Sequence, residues 1–574
     1  MKSKFIYRIL LGTVCLMSVG CSDFLTEDDR IDVDKNEYLN NAAEVESVLL
    51  GVYQSTINEA MYSMNLSFYL NMGTDCEQVE GSTTENFRIV PTNAFPTTQS
   101  EIQQTWKALY EGVYRANDFL ERVSKKIDSF KEEDKGLIAI YMAEARALRG
   151  WFYFELVRRY GNIPLMTSTV MSYQDPLTLE QADPVEVYKL IEGDLKYAAD
   201  ILPYAIDDKY RADNKYRLSK GAVLGLLAKV YATWAGAPLY DTTKWAEAAK
   251  AAGEVVMSGK HGLLKDFKTL WSNTCNAKWD PTESLIEISF YSPTTTSSND
   301  PCGRIGKWNG VKTTPVAGVR GSCAGNVKVV HAFVLDWRAQ DGIDVNNPGG
   351  TRGILDLRRD LSVANYRYDD KVSKGRVLWA RDAKASDEVN LKNDLDPKKK
   401  QKEKQNYTPA KWDIEEYVSS GGLINNDRSN VNWYFLRYAD VLLLYAEALN
   451  EWKGAPTNEA YAAVNEVRRR AYGYPSDVSK CDIPAGLDQE QFRQAVRDER
   501  KYELAFEGHR RMDLVRWGIY YETIQQTYRD QLTWWSSANY VVQKYTVKGK
   551  HELLPIPQRE MDLCKKFKQN PGWK

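Results

Sequence analysis

Two glutamates one helical turn apart, Glu503 and Glu507, have the spacing that acid–base chemistry would need. Glycoside hydrolysis uses such a pair, and its general acid must have a raised pKa to stay protonated near neutral pH. Arg500, and Arg510 or Arg511, lie three or four residues from these glutamates, so opposite charges would meet on one helix face. Both carboxylates would then stay ionised. We therefore predict a structural ion network, a helix that ends at Gly508, no catalytic residues, and no enzyme.

Cysteine and histidine patterns give no support for a metal site. Six cysteines follow Cys21 and none forms a CxxC pair, while the four histidines form no HExxH motif. A zinc site of the usual spacing is therefore not predicted, and neither is a cofactor. If disulfides form, Cys302 with Cys323 is the first pairing to consider; isolated buried thiols are an equally good interpretation.

Cys21 has the surroundings of a site for covalent lipid attachment. A positively charged start precedes residues 9–19, an apolar stretch of signal-peptide length that is too short to cross a bilayer. Small residues lie immediately before the cysteine, as in a bacterial lipobox, where the cysteine becomes the acylated N-terminus. Three acyl chains would exceed the two signals that stable anchoring needs. We predict a lipoprotein signal peptide at 1–20 and a lipid anchor with an acidic tether at 21–34; the alternative is an ordinary secretory signal.

Composition excludes several classes of function. The chain has 574 residues, of which 43% are hydrophobic and 27% charged, so it can bury a large core. No segment after residue 20 has the eighteen uninterrupted apolar residues of a membrane-spanning helix. A net charge of -2 argues against nucleic acid as a partner. Aromatic residues make up 12% of the chain, which suits both a core and stacking on a flat ligand.

Helical periodicity dominates residues 35–265, which we predict to form an N-terminal scaffold. Apolar residues recur at helical spacing in segments 41–58, 101–125, 135–160, 184–202, 219–235 and 244–258. The last two segments are separated by a Gly-Ala-Pro break at 236–238, and a similar helix pair at 433–472 has the same break at 454–456. Paired helices of this length resemble tetratricopeptide repeats.

Residues 266–430 differ from the segments around them. Helical periodicity fades, Gly, Ser, Thr, Asn and Pro increase, and a short β-like run appears at 285–291. A charged stretch at 384–405 is interpreted as a solvated loop. Long irregular inserts on a helical scaffold commonly carry binding function, so we predict a ligand-binding insert at 266–430. Residues 431–574 then contain the last helix pair and a C-terminal region.

Four sequence motifs resemble the SusD/RagB family of surface lipoproteins, and the resemblance covers essentially the whole chain after the signal peptide. They read AEARALRGWFYFELVRRYGNIPL (143–165), YFLRYADVLLLYAEALNE (434–451), RDERKYELAFEGHRRMDLVRWG (497–518) and LLPIPQREMDLCKKFKQNPGW (553–573). The resemblance implies a mainly α, SusD-like fold: four tetratricopeptide-like helix pairs with a loop-rich ligand-binding insert that contains short strands.

The resemblance also implies a function and a location. Family members capture oligosaccharides and act as the lid of a SusC-type TonB-dependent transporter, without characteristic catalysis. The chain would lie at the outer membrane, held by the acylated Cys21 and exposed on the cell surface, since acidic residues such as those at 27–29 accompany outward export in this family. One branch serves oligopeptide transporters, so a RagB-like peptide-capturing protein is the alternative; the aromatic-rich insert favours glycan.

Candidate ligand contacts are loop residues that combine aromatic rings with planar polar groups, since rings stack on sugar faces and polar groups bind hydroxyls. One predicted cluster, in the loop 71–96, contains Asp75, Glu77, Arg88, Asn93 and Phe95; the other, in the insert, contains Trp279, Tyr291, Arg304, Trp308 and Trp337. Trp308 is the leading candidate because glycines on both sides of it indicate an exposed turn. Local packing remains the alternative for each aromatic residue. Trp106, Trp151 and Trp234 lie on helical stripes and are expected in the core.

Overall fold

The computed structural model describes residues 38–79, 86–170, 175–290, 303–316, 321–340, 355–369, 376–378, 406–418, 429–534 and 539–573. The predicted signal peptide, lipid anchor and acidic tether lie outside the described residues, and so do Tyr291, Cys302 and the charged stretch 384–405.

Helices make up most of the described chain. In chain order they are α1 (Ala42–Tyr53), α2 (Asn86–Ile89), α3 (Ser100–Lys126), α4 (Glu132–Tyr160), α5 (Pro184–Ile201), α6 (Lys220–Trp234), α7 (Lys244–Met257), α8 (Phe267–Cys275), α9 (Ile305–Trp308), α10 (His331–Gln340), α11 (Leu357–Ser362), α12 (Ile414–Tyr417), α13 (Tyr438–Lys453), α14 (Asn458–Ala471), α15 (Gln489–Glu503), α16 (Arg510–Arg516), α17 (Tyr520–Trp534), α18 (Val541–Tyr545) and α19 (Gln558–Leu563). No helix within these described ranges combines the length and apolarity needed to cross a membrane.

Four helix pairs form the scaffold. The pairs are α1 with α3, α4 with α5, α6 with α7, and α13 with α14, and each pair also packs against the next. Each helix hides one face from water in this stack, which is how repeat architectures build a continuous core. The predicted core residues Trp106, Trp151 and Trp234 are only 4%, 2% and 3% exposed. The predicted mainly α fold with four helix pairs is therefore confirmed.

Local signals set the helix boundaries. The Asp183 carboxylate accepts a hydrogen bond from Val185 N (2.8 Å) at the start of α5, where Pro184 supplies a suitable φ for the first helical residue. Helix α13 ends at Gly454, whose φ of 74° is readily accessible to glycine. In the other Gly-Ala-Pro break, position 236 has room only for glycine, because a Cβ there would lie 2.2 Å from the Arg516 carbonyl oxygen.

Short strands pair in the insert and at its edges. They are β1 (Glu77–Val79), β2 (Ser284–Ile288), β3 (Val327–Val329), β4 (Val363–Ala364), β5 (Tyr366–Tyr368), β6 (Arg376–Leu378), β7 (Thr408–Pro409) and β8 (Trp433–Arg437). The antiparallel pairs are β1 with β3, β2 with β8, β4 with β7, and β5 with β6.

The prediction of a helix from residue 433 was wrong for its first five residues, which form β8. All five are buried, and the strand pairs with β2 from a distant part of the chain. A strand that is covered on both faces has a continuous apolar run rather than an alternating one, so periodicity does not distinguish it from the start of the helix that follows.

Candidate functional site

The two carboxylates spaced for acid–base chemistry lie in the interior, and they do not share one helix face. Helix α15 ends at Glu503, and the chain then turns through 504–508, so Glu507 is outside the helix. The predicted partners were also wrong: Arg500 pairs with Asp440 and Asp513, and Arg510 pairs with Asp75. The helix ends early because Phe506 and Gly508 adopt positive φ angles that no α-helix continues.

The partners of these carboxylates come from distant parts of the chain. Glu503 accepts from Arg470 (2.7 Å), Arg437 (3.1 Å) and Arg358 (2.9 Å), and Glu507 accepts from Arg437 Nε (2.7 Å). Burial alone would raise the pKa of both carboxyls, but the surrounding arginines hold both pKa values below the ordinary range. A general acid needs a raised pKa, so this arrangement favours a structural role, in which the network joins the insert to the C-terminal region.

The loop that follows α1 and the insert, which contain the two predicted clusters, contact each other at two points. Strand β1, from the loop that follows α1, pairs with β3 of the insert, with Glu77 opposite Val329 and Val79 opposite Val327. A further link is the Arg304 side chain, which bonds to Glu59 on the first loop. Loop segments that are far apart in sequence therefore meet at one edge of the scaffold.

Trp308 lies at the end of α9 with its indole ring partly buried against the core. Its backbone N donates to the Arg304 carbonyl (3.1 Å), and its own carbonyl accepts from Asn326 N (3.0 Å). Lys307 Nζ lies 4.8 Å from the ring centroid, a cation–π distance. These backbone bonds hold the main chain of Trp308 in place, and the residue is partly exposed.

Arg304 lies on the surface beside this ring. Its Nε and Nη2 bond to Glu59 Oε1 at 2.7 Å and 2.6 Å, with side-chain exposures of 27% and 54% for the two residues. Exposed ion pairs contribute about 0–1 kcal/mol, so this pair adds little to the stability of the fold.

The other candidate tryptophans differ in burial. Trp279 is partly buried in the turn before β2, with its ring centroid 6.0 Å from that of Tyr216. Trp337 is fully buried: its Nε1 donates to Asp356 (2.9 Å), and its ring stacks on Tyr502 at 5.1 Å. Trp337 therefore packs in the core, whereas Trp279 keeps part of its ring at the surface.

Asp75 and Glu77 are held inside the protein. Asp75 accepts two bonds from Arg510 (2.8 Å and 2.7 Å), and although burial alone would raise the pKa of its carboxyl, this guanidinium holds the pKa below its ordinary value. Glu77 is 3% exposed, and burial together with the Asp75 charge raises its pKa to about 8, so its carboxyl is largely protonated at neutral pH. Neither group presents an exposed carboxylate at the insert edge.

The remaining residues of the first cluster mainly support the loop. The Asn93 amide donates to Tyr520 Oη (2.9 Å) and Thr546 Oγ1 (2.8 Å), and Phe95 stacks on Trp573 with ring centroids 5.1 Å apart. Asn93 and Phe95 are 3% and 5% exposed, so both lie in the core. Arg88 lies partly buried on α2.

Cys323 is a free, buried thiol, which supports the isolated-thiol interpretation over the disulfide with Cys302. The other described cysteines, Cys76, Cys275, Cys481 and Cys564, are likewise free and buried. Within the described residues, no three side chains of His, Cys, Asp or Glu gather into a group that could hold a metal ion.

A cleft lies between α10, α15 and α17, and the sequence analysis did not predict it. This cleft has a volume of about 550 Å³, within the range of small-molecule sites. Its walls include Arg497 of α15 and Thr523, Thr527 and Asp530 of α17. The spacing of these α17 residues, three or four apart, is the signal that indicates a polar helix face.

Two sequence profiles match adjoining parts of the chain. The profile described as the SusD family matches residues 282–573, and the profile described as "Starch-binding associating with outer membrane" matches residues 23–232. Among characterised sequences, the chain is similar to SusD-like protein P25 of Formosa agariphila, with 25% identity over 95% of this chain and 94% of that protein.

Solved structures show the same fold. A SusD homolog from Bacteroides thetaiotaomicron is 63% identical, with a TM-score of 0.89 over 95% of this chain and all (100%) of that one. A laminarin-binding SusD-like protein is 24% identical, with a TM-score of 0.65 over 93% of this chain and 100% of its own. Profile matches that cover both the scaffold and the C-terminal motifs, together with a 63% identical homolog, show that this chain belongs to the SusD/RagB family.

Proposed function

We propose that this protein captures oligosaccharides at the cell surface and delivers them to a SusC-type TonB-dependent outer-membrane transporter, acting as its lid. Membership of the SusD/RagB family carries this proposal. The outer-membrane association described for the profile that matches residues 23–232 supports the location, and the laminarin-binding relative supports a glycan as ligand. The acylated Cys21 would anchor the chain, which raises its local concentration beside the transporter.

The oligosaccharide site that we propose is the edge of the insert around α9. Trp308 offers part of an indole ring for stacking on a sugar face, and Arg304 offers a guanidinium for hydroxyls. Trp279 and Tyr291 are proposed as further contacts on the same insert. Glu77, Asn93 and Phe95 would act by holding the loop beside it, since their side chains are buried, and Asp75 would do so through its ion pair with Arg510.

Replacing Trp308 by Ala tests this site. We expect the affinity for oligosaccharide to fall about tenfold, because loss of one aromatic stacking contact costs on the order of 1.4 kcal/mol. Trp452→Ala is the matched control, since Trp452 is a 48% exposed tryptophan at the end of α13. Titration calorimetry on both variants, with circular dichroism to confirm helical content, provides the comparison. Equal affinities for the two folded variants would contradict the assignment of Trp308.

Capture of the transporter tests the proposed partner. Cross-linking in intact cells followed by purification of this chain should recover a barrel-sized membrane protein. A Cys21→Ser variant should be exported without lipid and released from the membrane fraction. Mass spectrometry of the variant checks that its signal peptide has been removed. If the variant without its signal peptide stays in the membrane fraction, the anchoring role of Cys21 is contradicted.

A further inference from the structure

The cleft between α10, α15 and α17 is distinct in composition from the insert edge. Neither Trp308 nor Arg304 contributes to its walls. Each helix presents residues three or four apart, which places them on one face: Gln494 and Arg497 on α15, and Thr523 and Thr527 on α17. Amide, guanidinium and hydroxyl groups, together with the Asp498 and Asp530 carboxylates, therefore line a space of about 550 Å³.

Two of the three basic side chains in the cleft already have carboxylate partners. Lys501 Nζ donates to Asp336 Oδ2 at 2.5 Å. Arg510 Nη2 donates to Asp75 Oδ2 at 2.7 Å. The charges of Lys501 and Arg510 are therefore already balanced by carboxylates of this chain, without a charged ligand.

Arg497 differs from these two residues. Its guanidinium lies 4.9 Å from the centroid of the Trp517 ring, and its Nε is buried without a hydrogen-bond partner. Over the described parts of the chain, the Arg497 side chain forms no ion pair. The nearby Glu447 carboxylate accepts instead from Arg516 (2.7 Å) and from Trp517 Nε1 (2.6 Å).

A guanidinium that is partly shielded from water and has no ion-pair partner raises the free energy of the protein. Binding an anion would offset that cost. Burial lowers the pKa of the Arg497 guanidinium, which shows that its surroundings disfavour the charge. The planar fork of arginine binds a carboxylate through two parallel hydrogen bonds. Around it, Gln494 and Thr523 are of the types that bind sugar hydroxyls.

We infer that this cleft binds an acidic sugar unit, a uronic acid residue whose carboxylate pairs with Arg497 while its hydroxyls bond to the amide and hydroxyl groups of α15 and α17. The inference rests on the proposed glycan-capturing function and deepens it, because it adds a second contact that selects acidic glycans. A peptide carboxylate would satisfy the same guanidinium, so the test includes a peptide competitor.

Titration calorimetry with a matched pair of probes tests the inference on the full chain. The probes are trigalacturonic acid and the neutral trisaccharide made by reducing its carboxyl groups. We expect wild-type protein to bind the acidic probe at least tenfold more tightly. Arg497→Gln should remove this preference, and Gln494→Ala, which alters an exposed cleft residue, should weaken binding of both probes. Arg559→Gln, which removes one charge from the exposed face of α19, should change nothing.

The outcomes separate this inference from the proposed function. Trp308→Ala should keep the preference for the acidic probe, whereas Arg497→Gln should keep the binding of neutral oligosaccharide at the insert edge. Equal binding of the two probes by wild-type protein would overturn the inference, as would a preference that persists in folded Arg497→Gln. Competition by a short peptide carboxylate as effective as that by trigalacturonic acid would also overturn it, by assigning the cleft to peptide.

Discussion

Removal of Arg437 should destabilise the protein more than removal of almost any surface charge. This guanidinium, 1% exposed at the end of β8, donates to Glu507 (2.7 Å and 2.8 Å), Glu283 (2.8 Å) and Glu503 (3.1 Å). We expect Arg437→Met to leave about one buried negative charge without compensation. Breaking a buried pair in this way costs about 3–5 kcal/mol, a large part of the roughly 5–15 kcal/mol that holds a domain folded.

The pH dependence of this loss has a defined sign. Glu503 and Glu507 have folded-state pKa values below their ordinary values, so their ion pairs contribute stability above the unfolded-state pKa of about 4.3. That contribution is lost as the pH falls through the folded-state pKa. In Arg437→Met both carboxyls lose the partner that they share and can protonate more easily. The difference in free energy of unfolding between variant and wild type should therefore be larger at pH 7 than at pH 4.

Urea unfolding followed by circular dichroism at both pH values measures these differences. The matched control is Arg469→Met on α14, which removes a bidentate but surface pair with Asp482, whose partners are 43% and 18% exposed. The control should cost less than about 1 kcal/mol. Equal losses in the two variants, or a loss for Arg437→Met that does not shrink on acidification, would refute the reasoning.

Two further changes test the packing of the loop and of the repeat break. Phe95→Ala should lower the free energy of unfolding by about 3–5 kcal/mol, because the ring stacks on Trp573 in the core, and the folded fraction should keep its glycan affinity. An affinity loss at unchanged stability would instead make Phe95 a ligand contact. Gly236→Ala should cost about 1–3 kcal/mol, since its Cβ would overlap the Arg516 carbonyl oxygen; a thermal unfolding midpoint equal to that of wild type would contradict this contact.

Residues in the scaffold were the most predictable from sequence. The predicted segment 184–202 corresponds to helix Pro184–Ile201, because strong periodicity combines there with an Asp-Pro start. The sequence predicted that an ion network forms around Glu503, but it predicted the wrong arginines. Arg358, Arg437 and Arg470 bond to Glu503 from separate elements. Helical spacing carries no information on pairs that are so distant in sequence.

The candidate site was harder to predict because a loop sequence does not show what covers it. Phe95 and Asn93 have the composition of ligand contacts, but Trp573 and Tyr520, more than 400 residues later in the chain, pack over them. The unpaired state of Arg497 was equally hidden, since the motif around it contains many carboxylates that bond elsewhere. Residues that need only local information were predictable, and those decided by tertiary contacts were not.

Affinity electrophoresis of the wild-type protein against a panel of polysaccharides, with a peptide library as the control, tests the capture of glycans most directly. We predict retarded migration in at least one polysaccharide gel, unchanged chain length of that polysaccharide after incubation, and no enrichment of peptides. Free migration in every polysaccharide gel together with selective peptide binding would contradict the account and favour a peptide-capturing protein.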